Sequence, residues 1–85
     1  MEETLRPLSL AFWSEVMEDL LTGDLMTYLW LYTGETPAGF LWWAEITGKD
    51  PESWLRRLKD LWDLRGTEAG GKALKTLRKQ KESML

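Results

Sequence analysis

TPAGFLWWAEITGKDPESWLRRLKDLWDLRG, residues 36 to 66, carries two helix starts and two helix stops within about thirty residues. Thr36-Pro37 and Asp50-Pro51 each place a side-chain cap before a proline, and Gly48 and Gly66 each follow a run of apolar and charged residues. Proline is tolerated at the first helical position, and glycine just past the last turn supplies the left-handed conformation that ends a helix. The stretch therefore predicts two helices, Pro37 to Thr47 and Pro51 to Arg65, joined only by Gly48, Lys49 and Asp50. In the second, Trp54, Leu55, Leu58, Leu61, Trp62 and Leu64 form the inner stripe while Arg56, Arg57, Lys59 and Asp63 face out. In the first, Phe40, Leu41, Trp42, Trp43, Ala44 and Ile46 cover more than one face. Residues 39–43 are aromatic enough to suit a short strand as well; the Thr36 cap favours the helix.

Toward the N-terminus, residues 1–8 read as an extended lead, because Pro7 cannot continue a helix begun before it. A helix follows from Ser9, with Phe12 and Trp13, Val16 and Met17, Leu20 and Leu21 at helical spacing and Glu15, Glu18 and Asp19 on the other side. Gly23 stops it, and Asp24 caps a second helix, Leu25 to Thr33, which is apolar nearly all round. A helix with no polar face is either the central one or lies against a partner. Gly34, Glu35 and Thr36 connect it to the next helix. Past Gly66, residues 66–71 read as a flexible hinge, and residues 72–85 as a basic helix or tail with Ala73, Leu74, Leu77 and Met84 as a thin apolar stripe. The expectation is one all-α domain over residues 1–85, a compact bundle of four or five short helices with a helix-turn-helix at its centre.

Composition narrows the chemistry. A chain of 85 residues hides only roughly 60% of its unfolded surface. It has no cysteine and no histidine, so thiolate sites, disulfides, and the commonest metal ligand and general base are all missing. Glu15, Glu18 and Asp19 share a helix face but read as a solvated acidic surface rather than a metal or acid–base site. Gly70-Gly71-Lys72 lacks the glycine spacing and the following hydroxyl of a phosphate loop. No enzyme, cofactor or metal is expected. The most apolar run, Leu20 to Leu31, is interrupted by Asp24 and too short to span a bilayer, and Met1-Glu2-Glu3 is the wrong flank for a signal peptide. A soluble cytoplasmic protein with no membrane partner is the expectation. The absence of asparagine and histidine, beside heavy use of leucine, glutamate, lysine and arginine, is the usage met in thermophilic proteins.

Charge and aromaticity are both uneven. The net charge of −3 divides into −7 on residues 1–50, with nine acidic residues against two basic, and +4 on residues 51–85, with nine basic against five acidic. Such a gradient suits either a basic half that meets an anionic surface or charges spread over solvated helices. Six tryptophans are more than a small core hides with ease. Trp42 and Trp43 cannot share a helix face, since successive residues point about 100° apart, so one of the pair is expected outside. Exposed tryptophans dominate protein–protein contacts, which makes Trp30, Trp42 and Trp43 candidate interface residues.

Ala44 as the small residue of a first helix, Gly48 in the turn and Trp54 early in the second helix stand at characteristic separations, with YLWLYTG before and WLRRLKDLWDLRG after. Over residues 28–66 this resembles the helix-turn-helix of DNA-binding domains, winged-helix regulators and phage or plasmid replication initiators among them. At Lys49 and Arg57 that family has apolar residues. The resemblance implies that Pro51 to Arg65 is a recognition helix. Lys49, Glu52, Ser53 and Arg56 would then turn toward base edges of double-stranded DNA, and Arg57, Lys59, Lys72, Lys75, Arg78 and Lys79 toward its phosphates. Function is thus a choice between two non-enzymatic roles. One is a nucleic-acid-binding module that uses the helix-turn-helix and the basic half. The alternative is a Trp-rich interaction protein, a phage-type assembly chaperone, subunit or inhibitor, with homo-oligomers among its partners.

Overall fold

The computed structural model describes the backbone of residues 2–33 and 36–84 and the side chains of residues 9–33 and 36–83. Five helices follow in order, α1 (Glu2–Thr22), α2 (Leu25–Trp30), α3 (Phe40–Ile46), α4 (Pro51–Asp63) and α5 (Glu68–Met84), with no strand among the described residues. The fold is an all-α bundle.

The turn chemistry is realised as hydrogen bonds. At the end of α1 the Gly23 N–H donates to the Leu20 carbonyl (3.2 Å) and the Asp24 N–H to the Asp19 carbonyl (2.9 Å). At the end of α3 the Gly48 N–H reaches the Glu45 carbonyl (3.1 Å) and the Lys49 N–H the Ala44 carbonyl (2.8 Å). Both are Schellman closures, which need a left-handed residue, and Gly23 and Gly48 have φ of 87° and 72°. Asp24 closes one helix with its backbone and opens the next with its side chain, which accepts from the Met26 and Thr27 amides. Asp50 caps α4 by accepting from the Ser53 amide at 3.1 Å, with Pro51 following it. Hydrogen bonding from Ser53, its side chain first and then this amide, holds the carboxyl below the ordinary value of 3.8.

Four expectations are corrected. Residues 1–8 are not an extended lead: α1 begins at Glu2 and runs through Pro7. Pro7 is the sixth residue of the helix, so it removes one ladder bond, to the Glu3 carbonyl, and the helix continues past it. Residues 66–71 are not a hinge, because Thr67 starts α5: its hydroxyl accepts from the Gly70 amide (3.0 Å) and its carbonyl from the Gly71 amide (3.0 Å). The third helix starts at Phe40, not Pro37. Thr36 spends its hydroxyl on the Thr33 carbonyl, and the Thr33 hydroxyl accepts from the Phe40 amide instead. The second helix stops at Trp30 and gives way to a turn. Gly34 and Glu35, and the side chain of Met84, lie outside the described residues. Residues 39–43 belong to a helix rather than a strand, apart from Gly39 at its cap.

The core gathers on one face of α1. Trp13, Val16 and Leu20 pack with Leu31, with Phe40 and Ala44 of α3, and with Leu58 of α4; Leu20, Phe40 and Leu58 are wholly enclosed. Each such side chain contributes about 1.5–3 kcal/mol on transfer from water. Trp13 is the hub. Its ring meets Phe12, Phe40 and Trp54 edge to face at 5.0, 6.0 and 5.4 Å, and its Nε1–H donates to the Thr47 hydroxyl at 3.0 Å. Thr47 in turn donates to the Trp43 carbonyl at 2.6 Å, so its donor and an acceptor lone pair are both used and the end of α3 is tied to α1. α5 lies along another side of α1, which makes α1 the shared element of the bundle and leaves α2 at its periphery.

Candidate interaction surfaces

Two groups of side chains singled out in the sequence have found partners within the chain. Along the α1–α5 seam, Lys81 reaches Glu15 and Glu18, each at 2.6 Å, and Arg78 Nε lies 3.4 Å from Glu18. The acidic face and the basic tail therefore neutralise one another in part. Hydrogen bonds to Glu15 and then Glu18 hold the Lys81 ammonium above its ordinary 10.5; the Lys81 hydrogen bond lowers Glu18 below 4.5, against an opposing push from burial. The Lys81 contribution is whole below about 10.5 and is lost as pH climbs through the higher folded value. The Glu18 contribution is present above 4.5 and is lost as pH falls through the lower folded value. Asp19 behaves oppositely: burial raises its carboxyl, despite a hydrogen bond from Thr27, so acid relieves it. Lys81→Ala should lower stability at neutral pH by about 1 kcal/mol, and unfolding by urea should show this difference closing at pH 3. An equal difference at both pH values would mean that the seam is held by packing alone.

The cations around α4 lie on aromatic rings. Lys49 and Arg57 sit over Trp54 at 4.8 and 5.5 Å, Lys59 over Tyr32 at 4.8 Å, and Arg65 over Trp62 at 4.1 Å. Cation–π attraction contributes about 0.5–1 kcal/mol at such sites. The Trp54 Nε1–H is buried with no hydrogen-bond partner. Within Pro51–Asp63, Arg56, Arg57 and Lys59 are matched in number by Glu52, Asp60 and Asp63, so α4 has no net charge. Ser53 and Arg56 are exposed on it. On α5, Lys72, Lys75 and Lys79 are exposed and stand within one face at helical spacing; Lys72 is 3.9 Å from Glu68.

The chain matches no protein-family model, no curated protein and no solved structure. The reading of its surfaces rests on their own chemistry. Among the described residues no group of acidic side chains is placed to hold a metal ion, and no helix is long and apolar enough to cross a membrane.

The tryptophans divide by environment. Trp30 lies against Phe12 (5.6 Å) and Phe40 (6.0 Å) and donates to the Ala38 carbonyl at 3.0 Å. Trp43 stacks on Phe12 at 4.0 Å with the rings 11° from parallel. Trp42 is the outward member of the pair, 42% exposed, edge-on to Trp43 at 5.3 Å. With Ile46, Phe12 and Trp43 it borders an apolar cleft of about 530 Å³ between α1 and α3.

A second surface lies on α2, the helix for which the sequence left a partner's cover as one of two readings. α2 buries none of its six residues. Tyr28 turns inward, stacked on Trp62 at 4.4 Å, and Thr27 bonds to Asp19 at 3.2 Å. Leu25 (57% exposed), Met26 (75%), Leu29 (51%) and Tyr32 (52%) stand in solvent. Leu25 and Leu29 fall on one face of α2 with Met26 beside them, and Tyr32 follows in the turn that closes the helix. The all-round apolar character of residues 25–33 was the available signal, but it left open whether the helix is enclosed by its own chain.

Proposed function

We propose that this chain is a non-enzymatic interaction protein that docks on another protein surface through α2. The observation that carries this reading is the mismatch between composition and position: the most uniformly apolar helix is peripheral and buries no residue. An apolar helix is either enclosed or covered by a partner, and the element the other helices pack around here is α1. Exposed large side chains in contiguous patches mark interaction sites in small proteins. Trp42 and Ile46 add a second, smaller apolar surface.

Duplex DNA is the second reading, favoured by the shared face of Lys72, Lys75 and Lys79. It has less positive field to draw on than the sequence suggested, since α4 is neutral and Arg78 and Lys81 face carboxylates.

A photo-crosslinking residue placed in turn at Met26, at Trp42 and at Thr76 tests the two readings in cells. Docking through α2 is expected to give a discrete protein adduct from Met26 and none from Thr76 on α5. No adduct from Met26 or from Trp42 would end the interaction reading. In a parallel titration of labelled duplex, binding that falls steeply with salt and is lost in Lys75→Ala/Lys79→Ala would replace it with the second.

A further inference from the structure

We propose that a cleft along the α1–α5 seam binds a small amphiphilic oxyanion, a carboxylate or a phosphate monoester on a short hydrocarbon arm. The cleft holds about 500 Å³ between the two helices and is walled by Leu10 and Ser14 of α1 and by Thr76, Lys79, Gln80 and Ser83 of α5. Its size is that of a small-molecule site. No residue of α2 is among the described walls.

The seam has two flanks that differ in charge. On one, Arg78 and Lys81 are met by Glu15 and Glu18. On the other, the described walls of the cleft carry a single charge, the Lys79 ammonium, which pairs with no carboxylate among the described residues. Ser14 indicates what meets that cation. It is 6% exposed, and its hydroxyl has no hydrogen-bond partner among the described residues. A buried hydroxyl left unpaired costs stability, whereas one that donates to an oxyanion makes a charge-assisted bond. The Thr76 hydroxyl is already committed, donating to the Lys72 carbonyl at 3.1 Å. Gln80 and Ser83 are exposed at the rim and bring further N–H and O–H donors. An ammonium, two serine hydroxyls and an amide, with no carboxylate among them, form a donor set for anionic oxygen. Leu10, half in solvent, adds an apolar wall, which fits a ligand with a hydrocarbon arm rather than a bare ion.

Isothermal titration calorimetry of the purified chain with octanoate, octyl phosphate and octylammonium tests the proposal. The expected result is saturable binding of at least one of the two anions, with octylammonium weaker by about tenfold or more. Tighter binding of octanoate names a carboxylate head, and tighter binding of octyl phosphate a phosphate. Ser14→Ala should weaken the anion about tenfold, as for a buried donor to a charged group, and leave the free chain at least as stable in urea. Lys79→Gln, at an exposed cation, should weaken it about threefold. Lys75→Gln should leave it unchanged, which separates this cleft from a duplex spread along the lysine face. Octylammonium bound as tightly as the anions overturns the proposal, as does failure of both anions to saturate at millimolar concentration. A Ser14→Ala chain that loses stability but keeps its affinity overturns it too, since the serine is then structural.

Discussion

Replacing Trp13 with alanine should remove about 3–5 kcal/mol of stability, enough to leave much of the population unfolded at ambient temperature. A domain of 85 residues has roughly 0.05–0.15 kcal/mol per residue in hand, so one side chain accounts for a large share. Trp13 is 3% exposed, meets three aromatic rings edge to face, and donates to Thr47. Truncation opens a large void and strips the hydrogen bond that ties α1 to the end of α3. Trp13→Phe separates these effects. It keeps an aromatic ring and leaves Thr47 its donation to the Trp43 carbonyl, so it should lose less than half as much. Trp42→Ala is the control, an exposed tryptophan whose removal should cost no more than about 1 kcal/mol. Urea unfolding followed by circular dichroism measures all three. A loss of under 1 kcal/mol for Trp13→Ala would mean that the aromatic hub is not the keystone of the fold.

The local punctuation was legible because it needs only neighbours in sequence. Asp24 and Asp50 cap, Pro51 starts and Gly23, Gly48 and Gly66 end, each as composition and position require. Failures came where tertiary contact or a competing hydrogen bond decides. Thr36 and Thr33 exchange roles because either hydroxyl has the right chemistry and only the path of the turn selects between them. Pro7 looks like a boundary, but the helix runs through it at the cost of one ladder bond. The pairing of Arg78 and Lys81 with Glu15 and Glu18 spans 60 to 66 residues, so the sequence offered a charge gradient and no sign that the gradient folds onto itself. α2 is the most instructive case. Its pattern announced an apolar helix without a polar face, and periodicity cannot say whether the cover comes from within the chain.

The charge gradient and the apolar helix have one consequence in common. Five cations of the second half are held within the bundle, Arg78 and Lys81 by carboxylates of α1 and Arg57, Lys59 and Arg65 by the faces of Trp54, Tyr32 and Trp62. They stabilise the bundle at its seams. The apolar residues that this arrangement leaves uncovered collect at α2 and at the Trp42 edge of α3. A bundle closed by polar contacts at α5 can thus expose an apolar face at α2, provided α5 stays in register.

That register depends on Gly70, and Gly70→Ala should destabilise the chain by about 2–3 kcal/mol, whereas Gly71→Ala should stabilise it by about 0.5–1 kcal/mol. The two glycines are adjacent in the first turns of α5, so helix propensity alone predicts the same favourable change for both. Their surroundings differ. A Cβ on Gly70 would collide with the carbonyl of Leu64, which already accepts from the Thr67 amide and hydroxyl. Neither partner is a flexible side chain, so the start of α5 must move as a whole. A Cβ on Gly71 meets nothing within 4 Å. Displacing the first turn also shifts Arg78 and Lys81 relative to Glu15 and Glu18, and the acid-sensitive part of the stability should shrink with it. Thermal unfolding of both variants at pH 7 and pH 3 reads the sign and the pH dependence together. If Gly70→Ala and Gly71→Ala both stabilise, α5 does not approach Leu64 closely and the seam with α1 is looser than this arrangement requires.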